Sequence, residues 1–237
     1  MNTITKTLLI IISYMVVRAL IYAKMPVANY ADWFIRDIVM TLPRIAAFLV
    51  SLRLLRGIQG EFWLKIKSPS AVGILLGILT YDLFRVSAFP WVLSFRDSLA
   101  IIGWCTTLAV ACFEETCFRG LLFQSLMERM TPFKAALLGT LIFTVFHIQA
   151  QPITAWPMIF LVGFSLCAAY YRGAGLIWLI LVHELIDGLD MHVNWDDLLY
   201  PDRYIFAYVI LALTAACSVI LLRKPYISSA AEPSTSG

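Results

Sequence analysis

Glu114, Glu115 and Arg119 are ionisable residues within a segment that is otherwise apolar and has the composition of a membrane-buried helix. Each ionisable group at bilayer depth costs about 2.5–3.5 kcal/mol on insertion scales, so three within six residues require a compensating role. On an α-helix Glu115 and Arg119 are four residues apart and can form a charge-assisted pair. Glu114 lies about 100° around the helix from Glu115. The spacing therefore predicts that one carboxylate is neutralised by its own helix and that the other is available for chemistry.

Two further polar groups lie in apolar segments downstream. His147 ends one such segment, and His183 and Asp187 lie four residues apart in another, on the same face of a helix. For each group alone, a structural role as a satisfied polar group in the core stays open. Titratable groups in three separate apolar segments together indicate an active site, because their combined burial needs a function that compensates for its cost.

The elements that must position these residues are membrane helices. Hydrophobic residues make up 61% of the 237 positions and charged residues only 14%, against about 25% in a soluble domain. We therefore predict an all-α, polytopic membrane bundle of about eight transmembrane helices. It forms a single transmembrane domain over residues 1–225, followed by a disordered tail at 226–237 that is small and polar. The predicted spans are 4–23, 36–56, 69–89, 97–128, 132–149, 152–171, 174–192 and 204–222.

The distribution of basic residues predicts the orientation of the bundle. Eight spans place both termini on one side of the membrane, and ten basic loop residues fall on that side against four on the other. By the positive-inside rule, both termini are predicted to be cytoplasmic in a multi-pass protein of the cell membrane. The formal net charge of +3 is too small to suggest a nucleic-acid partner.

The polar residues also resemble an ordered set of family motifs. Glu-Glu-x-x-x-Arg at 114–119, Phe-x-x-x-His at 143–147 and His-x-x-x-Asp at 183–187 are similar to three motifs of the CAAX protease and bacteriocin-processing (Abi) family. These intramembrane proteases are related to the type II CAAX prenyl endopeptidase. The resemblance covers a core of about 97–192. Its third motif ends in Asp187, at a position that is asparagine-like in the prenyl endopeptidases.

The resemblance implies an intramembrane endopeptidase of the glutamic type. In the family, the first glutamate and the histidine of the second motif are thought to polarise the attacking water, and here these are Glu114 and His147. The resemblance further implies that His183 and Asp187 hold the oxyanion or the peptide. Such a site needs a wet cavity among the helices, because hydrolysis consumes water.

Glu115 and Arg119 would act as organisers of this site, since the arginine favours the charged form of its neighbour. The implied partners are the membrane and a protein or peptide substrate that is lipidated, is a bacteriocin leader, or carries a C-terminal sorting helix. A non-enzymatic membrane scaffold or immunity protein with the same fold is the alternative outside enzymes.

A zinc-dependent intramembrane protease is the alternative enzyme mechanism. The two histidines and two carboxylates at Glu114, His147, His183 and Asp187 suffice for a zinc site with an open position. The segment from His183 to Asp187 also differs from the His-Glu-x-x-His zinc motif only at its last residue. We favour hydrolysis without a cofactor, through water activated by protein groups, and keep a zinc-dependent protease as the second hypothesis.

Overall fold

A computed structural model describes residues 2–27, 30–55, 65–91, 98–194 and 197–225. These residues form a bundle of helices, which confirms the predicted all-α polytopic architecture. The predicted tail at 226–237 lies outside the described residues. The helices are α1 (Thr3–Lys24), α2 (Tyr30–Leu55), α3 (Pro69–Val86), α4 (Ser98–Glu114), α5 (Gln124–Met127), α6 (Pro132–Phe146), α7 (Trp156–Tyr171), α8 (Leu176–Asp190) and α9 (Pro201–Arg223).

Seven helical stretches in the described part of the chain are long and apolar enough to cross a membrane. They correspond to the first six predicted spans and to the eighth. The predicted seventh span coincides with α8, which has only 15 residues. At 1.5 Å per residue, α8 is about 22 Å long, shorter than a hydrocarbon core of about 30 Å.

Helix α8 nevertheless runs between the same two ends of the bundle as α3. Two isolated β-bridges define these ends: Ile66 pairs with Ala174 just before both helices begin, and Trp91 pairs with Val193 just after both end. We call them the Ile66 end and the Trp91 end. Helix α8 therefore connects the same two ends of the bundle as α3, which is long enough to span a membrane.

The last helix, α9, returns to the Ile66 end. At its start, the Arg203 guanidinium donates a hydrogen bond to the carbonyl oxygen of Ser87, directly after α3 (3.2 Å). At its finish, the Tyr171 hydroxyl donates to the carbonyl oxygen of Lys224 (3.3 Å). Tyr171 ends α7 beside Gly173, whose carbonyl accepts from the Lys67 backbone N–H (3.0 Å). The chain therefore finishes α9 at the Ile66 end.

The first helix begins at the Ile66 end as well. Tyr170, near the end of α7, donates to Gln124 at the start of α5 (3.3 Å), so α6, which begins shortly after α5, also starts at this end. Helix α6 then runs to the Trp91 end, where Gln149 accepts a hydrogen bond from Arg18, near the end of α1 (3.0 Å). Helices α1 and α6 thus run in the same direction, as the first and fifth candidate spans of the chain must.

Local sequence signals explain where several helices begin. Pro69 and Pro132 occupy the first turn of α3 and α6, where the missing N–H of proline costs no hydrogen bond. Ser68 caps α3 by accepting from the Ala71 backbone N–H (3.4 Å). The largest apolar core surrounds residues 113–126, so the segment that carries the acidic residues lies at the centre of the bundle.

Candidate active site

A nine-residue π-helix, Glu115–Phe123, continues α4 and leads directly into α5. All nine of its residues are buried. A π-helix closes i→i+5 hydrogen bonds, is rare, and occurs frequently at functional sites. The span predicted at 97–128 is therefore not one continuous α-helix. The change of helix type falls between Glu114, the last residue of α4, and Glu115, the first residue of the π-helix.

The predicted ion pair between Glu115 and Arg119 is present. Arg119 Nη1 lies 2.8 Å from Glu115 Oε1, and the side chains are 1% and 0% exposed. Arg119 also donates from Nη2 to the carbonyl oxygen of Gly163 on α7 (3.2 Å), and its guanidinium carbon lies 4.3 Å from the centroid of the Phe143 ring. A Cβ atom at position 163 would come within 3.0 Å of Phe143 and 3.2 Å of Arg119 Nη2, so a glycine allows α7 to approach this closely.

Both ring nitrogens of His183 face carboxylates. Nδ1 lies 2.7 Å from Glu115 Oε1, the oxygen that also accepts from Arg119. Nε2 lies 3.5 Å from Asp187 Oδ2 and 3.8 Å from Glu114 Oε2. Since an ionised carboxylate only accepts hydrogen bonds, Glu115 requires Nδ1 of His183 to be a donor. Glu115 therefore links the π-helix to α8 in addition to pairing with its own arginine.

His147 follows the last residue of α6, where the chain tightens into a short 3-10 turn, His147–Gln149. Its Nδ1 lies 2.8 Å from the carbonyl oxygen of Phe143. A carbonyl can only accept, so this contact assigns the proton to Nδ1 and leaves a lone pair on Nε2. Nε2 is directed to the acidic motif and lies 3.7 Å from Glu114 Oε2.

Glu114 occupies the centre of these groups. Its Oε2 atom is buried and has no hydrogen-bond partner among the described residues, although two imidazole Nε2 atoms lie 3.7 and 3.8 Å away. These separations exceed the 2.7–3.2 Å of a direct N–H···O hydrogen bond. Polar atoms spaced in this way are suited to a bridging water. The arrangement can therefore hold one water between a carboxylate and two histidines.

The separations between the candidate ligand atoms bear on the zinc hypothesis. In the described part of the chain, no group of three or more His, Cys, Asp or Glu side chains is suited to hold a metal ion. Zn–N bonds of about 2.0–2.1 Å place tetrahedral ligand atoms roughly 3.3 Å apart. The separations from Glu114 Oε2 to His147 and His183 are wider, at 3.7 and 3.8 Å. These two separations are therefore wider than those between the ligands of a bound zinc ion.

Arg18 also belongs to this site, although it was not among the site residues predicted from the sequence. It lies on α1, is only 3% exposed, and donates from Nη2 to the carbonyl oxygen of Phe146 and from Nε to Gln149 Oε1 (3.0 Å). Its guanidinium carbon also lies 4.5 Å from the centroid of the Phe146 ring. Arg18 thus binds the chain on both sides of His147. The signal in the sequence was an arginine that interrupts an apolar span.

We expect Arg18→Met to leave the His147 ring without one defined position and environment. The substitution removes both donors and keeps much of the apolar stem, so the turn that carries His147 loses its anchor. Histidine 15N NMR of the protein in lipid nanodiscs would report the change, and single substitutions would assign the three histidines. Arg18→Lys should retain part of the wild-type spectrum, because an ammonium group can still donate to the Phe146 carbonyl.

Arg36→Met provides a matched control. It removes a cation from the same pair of N-terminal helices, where the Arg36 guanidinium carbon lies 3.9 Å from the centroid of the Tyr22 ring. Its His147 signals should match those of the wild type. Unchanged His147 signals in a folded Arg18→Met protein would show that Arg18 does not position this histidine.

Residues 96–189 match the family model described as type II CAAX prenyl endopeptidase Rce1-like. The resemblance is confirmed. The Rce1-like segment contains all six candidate residues, begins two residues before α4 and ends in the last turn of α8. It covers less than half of the 237 residues, and Arg18 lies outside it. No curated protein matches the chain significantly. Together, the Rce1-like segment and the apolar helices indicate an integral membrane protein related to CAAX proteases.

Proposed function

We propose that this protein is an intramembrane endopeptidase in which Glu114 and His147 activate a water molecule. One observation supports the proposal most directly. The buried Oε2 atom of Glu114 has no hydrogen-bond partner among the described residues, and it lies 3.7 and 3.8 Å from the Nε2 atoms of His147 and His183, too far for a direct hydrogen bond. The relation of residues 96–189 to CAAX proteases supplies the reaction class.

The nucleophile in this proposal is a water held by two acceptors. The carboxylate of Glu114 and the lone pair on His147 Nε2 each accept one of its protons, so an oxygen lone pair points away from both toward the scissile carbonyl carbon. As the C–O bond forms, Glu114 takes up one proton of the water. General-base catalysis of this kind typically contributes about 10²–10⁴-fold in rate.

His183 is placed to stabilise the tetrahedral intermediate. When both of its nitrogens carry protons, Nδ1 donates to Glu115 and Nε2 can donate to the oxyanion that forms on the substrate. Asp187 Oδ2, 3.5 Å from Nε2, accepts from the same group when no oxyanion is present. The C–N bond then breaks, and Glu114 returns its proton to the leaving amine, so the products are a carboxylic acid, which keeps the second proton of the water, and an amine.

Glu115 and Arg119 act as positioning residues in this scheme. The single oxygen Oε1 of Glu115 contacts Arg119 Nη1 at 2.8 Å and His183 Nδ1 at 2.7 Å. The ion pair therefore sets both the tautomer and the orientation of His183. The two neighbouring carboxylates thus have different roles. Glu115 is held by two partners, and Glu114 is left to bind the water.

We also propose that the reaction needs no metal. Chelation with EDTA should leave cleavage by the wild-type protein unchanged, because the proposed base and oxyanion donor are both side chains. Complete loss of cleavage on chelation, with recovery on addition of zinc, would overturn this mechanism and leave the protease assignment in place.

The assignment as a protease can be tested before a substrate is known. Membrane fractions from cells that express the wild type or Glu114→Ala would be compared by mass spectrometry of new protein termini. Termini that form only with the wild type would support the proposal and identify the substrate among lipidated tails, bacteriocin leaders and proteins with a sorting helix. Identical sets of termini, with both proteins folded and equally abundant, would contradict it.

A further inference from the structure

The candidate site lies in the half of the bundle toward the Trp91 end. His147 is the first residue after α6, which finishes at this end, and Asp187 lies one turn before the last residue of α8. Arg119, by contrast, contacts Gly163 near the middle of α7. The site therefore extends from mid-bundle to the Trp91 end and has no candidate residue near the Ile66 end.

Exposure of the site residues rises in the same direction. The side chains of Arg119 and Glu115 are 1% and 0% exposed, those of Glu114 and His183 are 6% and 10%, and that of Asp187 is 31%. On the Ile66 side, Leu121, Leu122 and Phe123 of the π-helix are completely buried. On the Trp91 side, the three residues after His147 are exposed. The site is thus closed toward the Ile66 end and open toward the Trp91 end.

Basic residues are concentrated at the Ile66 end, which is the closed end. Those in the described loops and helix termini at this end are Lys6, Arg53, Lys65, Lys67, Arg129, Lys134, Arg172, Arg223 and Lys224. At the Trp91 end they are Lys24, Arg36, Arg85 and Arg203, fewer than half as many. The positive-inside rule assigns an excess of this kind to the cytoplasm.

We infer that the site is reached from the non-cytoplasmic side of the membrane and that its substrate is a polypeptide segment exposed there. The inference rests on the proposed protease function and adds where and on what it acts. A polypeptide held at the cytoplasmic surface would have to carry its polar groups through the bilayer, at about 2.5–3.5 kcal/mol for each charged side chain. The substrate class is therefore an exported, membrane-anchored protein and not a lipidated tail on the cytoplasmic face.

Cysteine labelling in intact cells tests this inference without any substrate. In a background without the five native cysteines, Asp187→Cys reports on the site, and Gln149→Cys and Arg129→Cys report on the two ends of α6. Gln149 and Arg129 are both exposed, so they form a matched pair. A membrane-impermeant maleimide should label Asp187→Cys and Gln149→Cys before permeabilisation and Arg129→Cys only afterwards.

Labelling of Asp187→Cys only after permeabilisation would overturn the inference, whatever the result at Gln149. If Asp187→Cys does not fold, labelling of Gln149→Cys only after permeabilisation would overturn it equally. Either result would leave a protease with a site open to the cytoplasm. Failure of the proposed function would instead show as identical protein termini with the wild type and Glu114→Ala, and it would not alter the labelling.

Discussion

Glu114→Ala, His147→Ala and the double variant are expected to lose cleavage to the same extent, by about 10²–10⁴-fold relative to the wild type. Both side chains are proposed to accept protons of one water, and Glu114 Oε2 lies 3.7 Å from His147 Nε2. Groups that act on one nucleophile are grossly non-additive, because the second loss removes little once the first has stopped the reaction. Rates of the three variants on one identified substrate would test this.

Glu184→Gln is the matched control for this series. Like Glu114, Glu184 is a buried carboxylate, at 8% exposure. It lies on α8, and its Oε1 accepts a hydrogen bond from Thr107 on α4 (3.0 Å). The Glu184→Gln variant should cleave the substrate at the wild-type rate. The cleavage rate of His183→Ala should lie between those of the wild type and Glu114→Ala, because an oxyanion donor contributes to the rate without being the base. Additive losses in the double variant would show that Glu114 and His147 do not share a water, and full activity of Glu114→Ala would eliminate it as the base.

Glu115→Gln should destabilise the protein far more than Glu114→Gln. Removing one partner of a buried ion pair costs about 3–5 kcal/mol, because the other charge is left uncompensated. Arg119 is 1% exposed, and Glu115 is its one carboxylate partner among the described residues. The same substitution also weakens the contact with His183 Nδ1. Glu114→Gln, by contrast, breaks no hydrogen bond at Oε2, because this atom has no partner among the described residues.

Thermal unfolding of both purified variants in the same detergent would measure this difference. The midpoint for Glu115→Gln should fall well below that of the wild type, whereas that for Glu114→Gln should stay close to it. Equal losses would mean that the two adjacent carboxylates are not divided into a positioning and a reacting group. The result does not depend on the substrate, so it can be obtained first.

The sequence was sufficient for the helices and for the local part of the site. Apolar length predicted the seven helical stretches that are long enough to cross a membrane, and the spacing of Glu115 and Arg119 predicted their ion pair because both residues lie on one helical segment. Family motifs placed His147 and His183 in the same site. These inferences depend on local periodicity or on the order of motifs along the chain, which a single sequence contains.

Contacts between distant segments were beyond the sequence. The bond between Glu115 and His183 joins residues 68 positions apart, and that between Arg18 and Phe146 joins residues 128 positions apart. Nothing in residue type or spacing selects such partners, because helix packing decides them. The π-helix escaped prediction for a related reason. Its hydrogen-bond register is fixed by the packing around 115–123 and leaves no distinct pattern in the order of residue types.

The short helix α8 also has a consequence for the surrounding lipid. Its outward face, with Trp178, Leu181 and Leu185 each about two-fifths exposed, meets acyl chains over a helix about 22 Å long. Hydrophobic mismatch of this size is relieved when the bilayer becomes locally thinner, at fractions of a kcal/mol per Å. Thinning beside α8 brings the headgroup layer closer to His183 and Asp187. Local thinning of this kind would shorten the path from the headgroup layer to the buried carboxylate of Glu114.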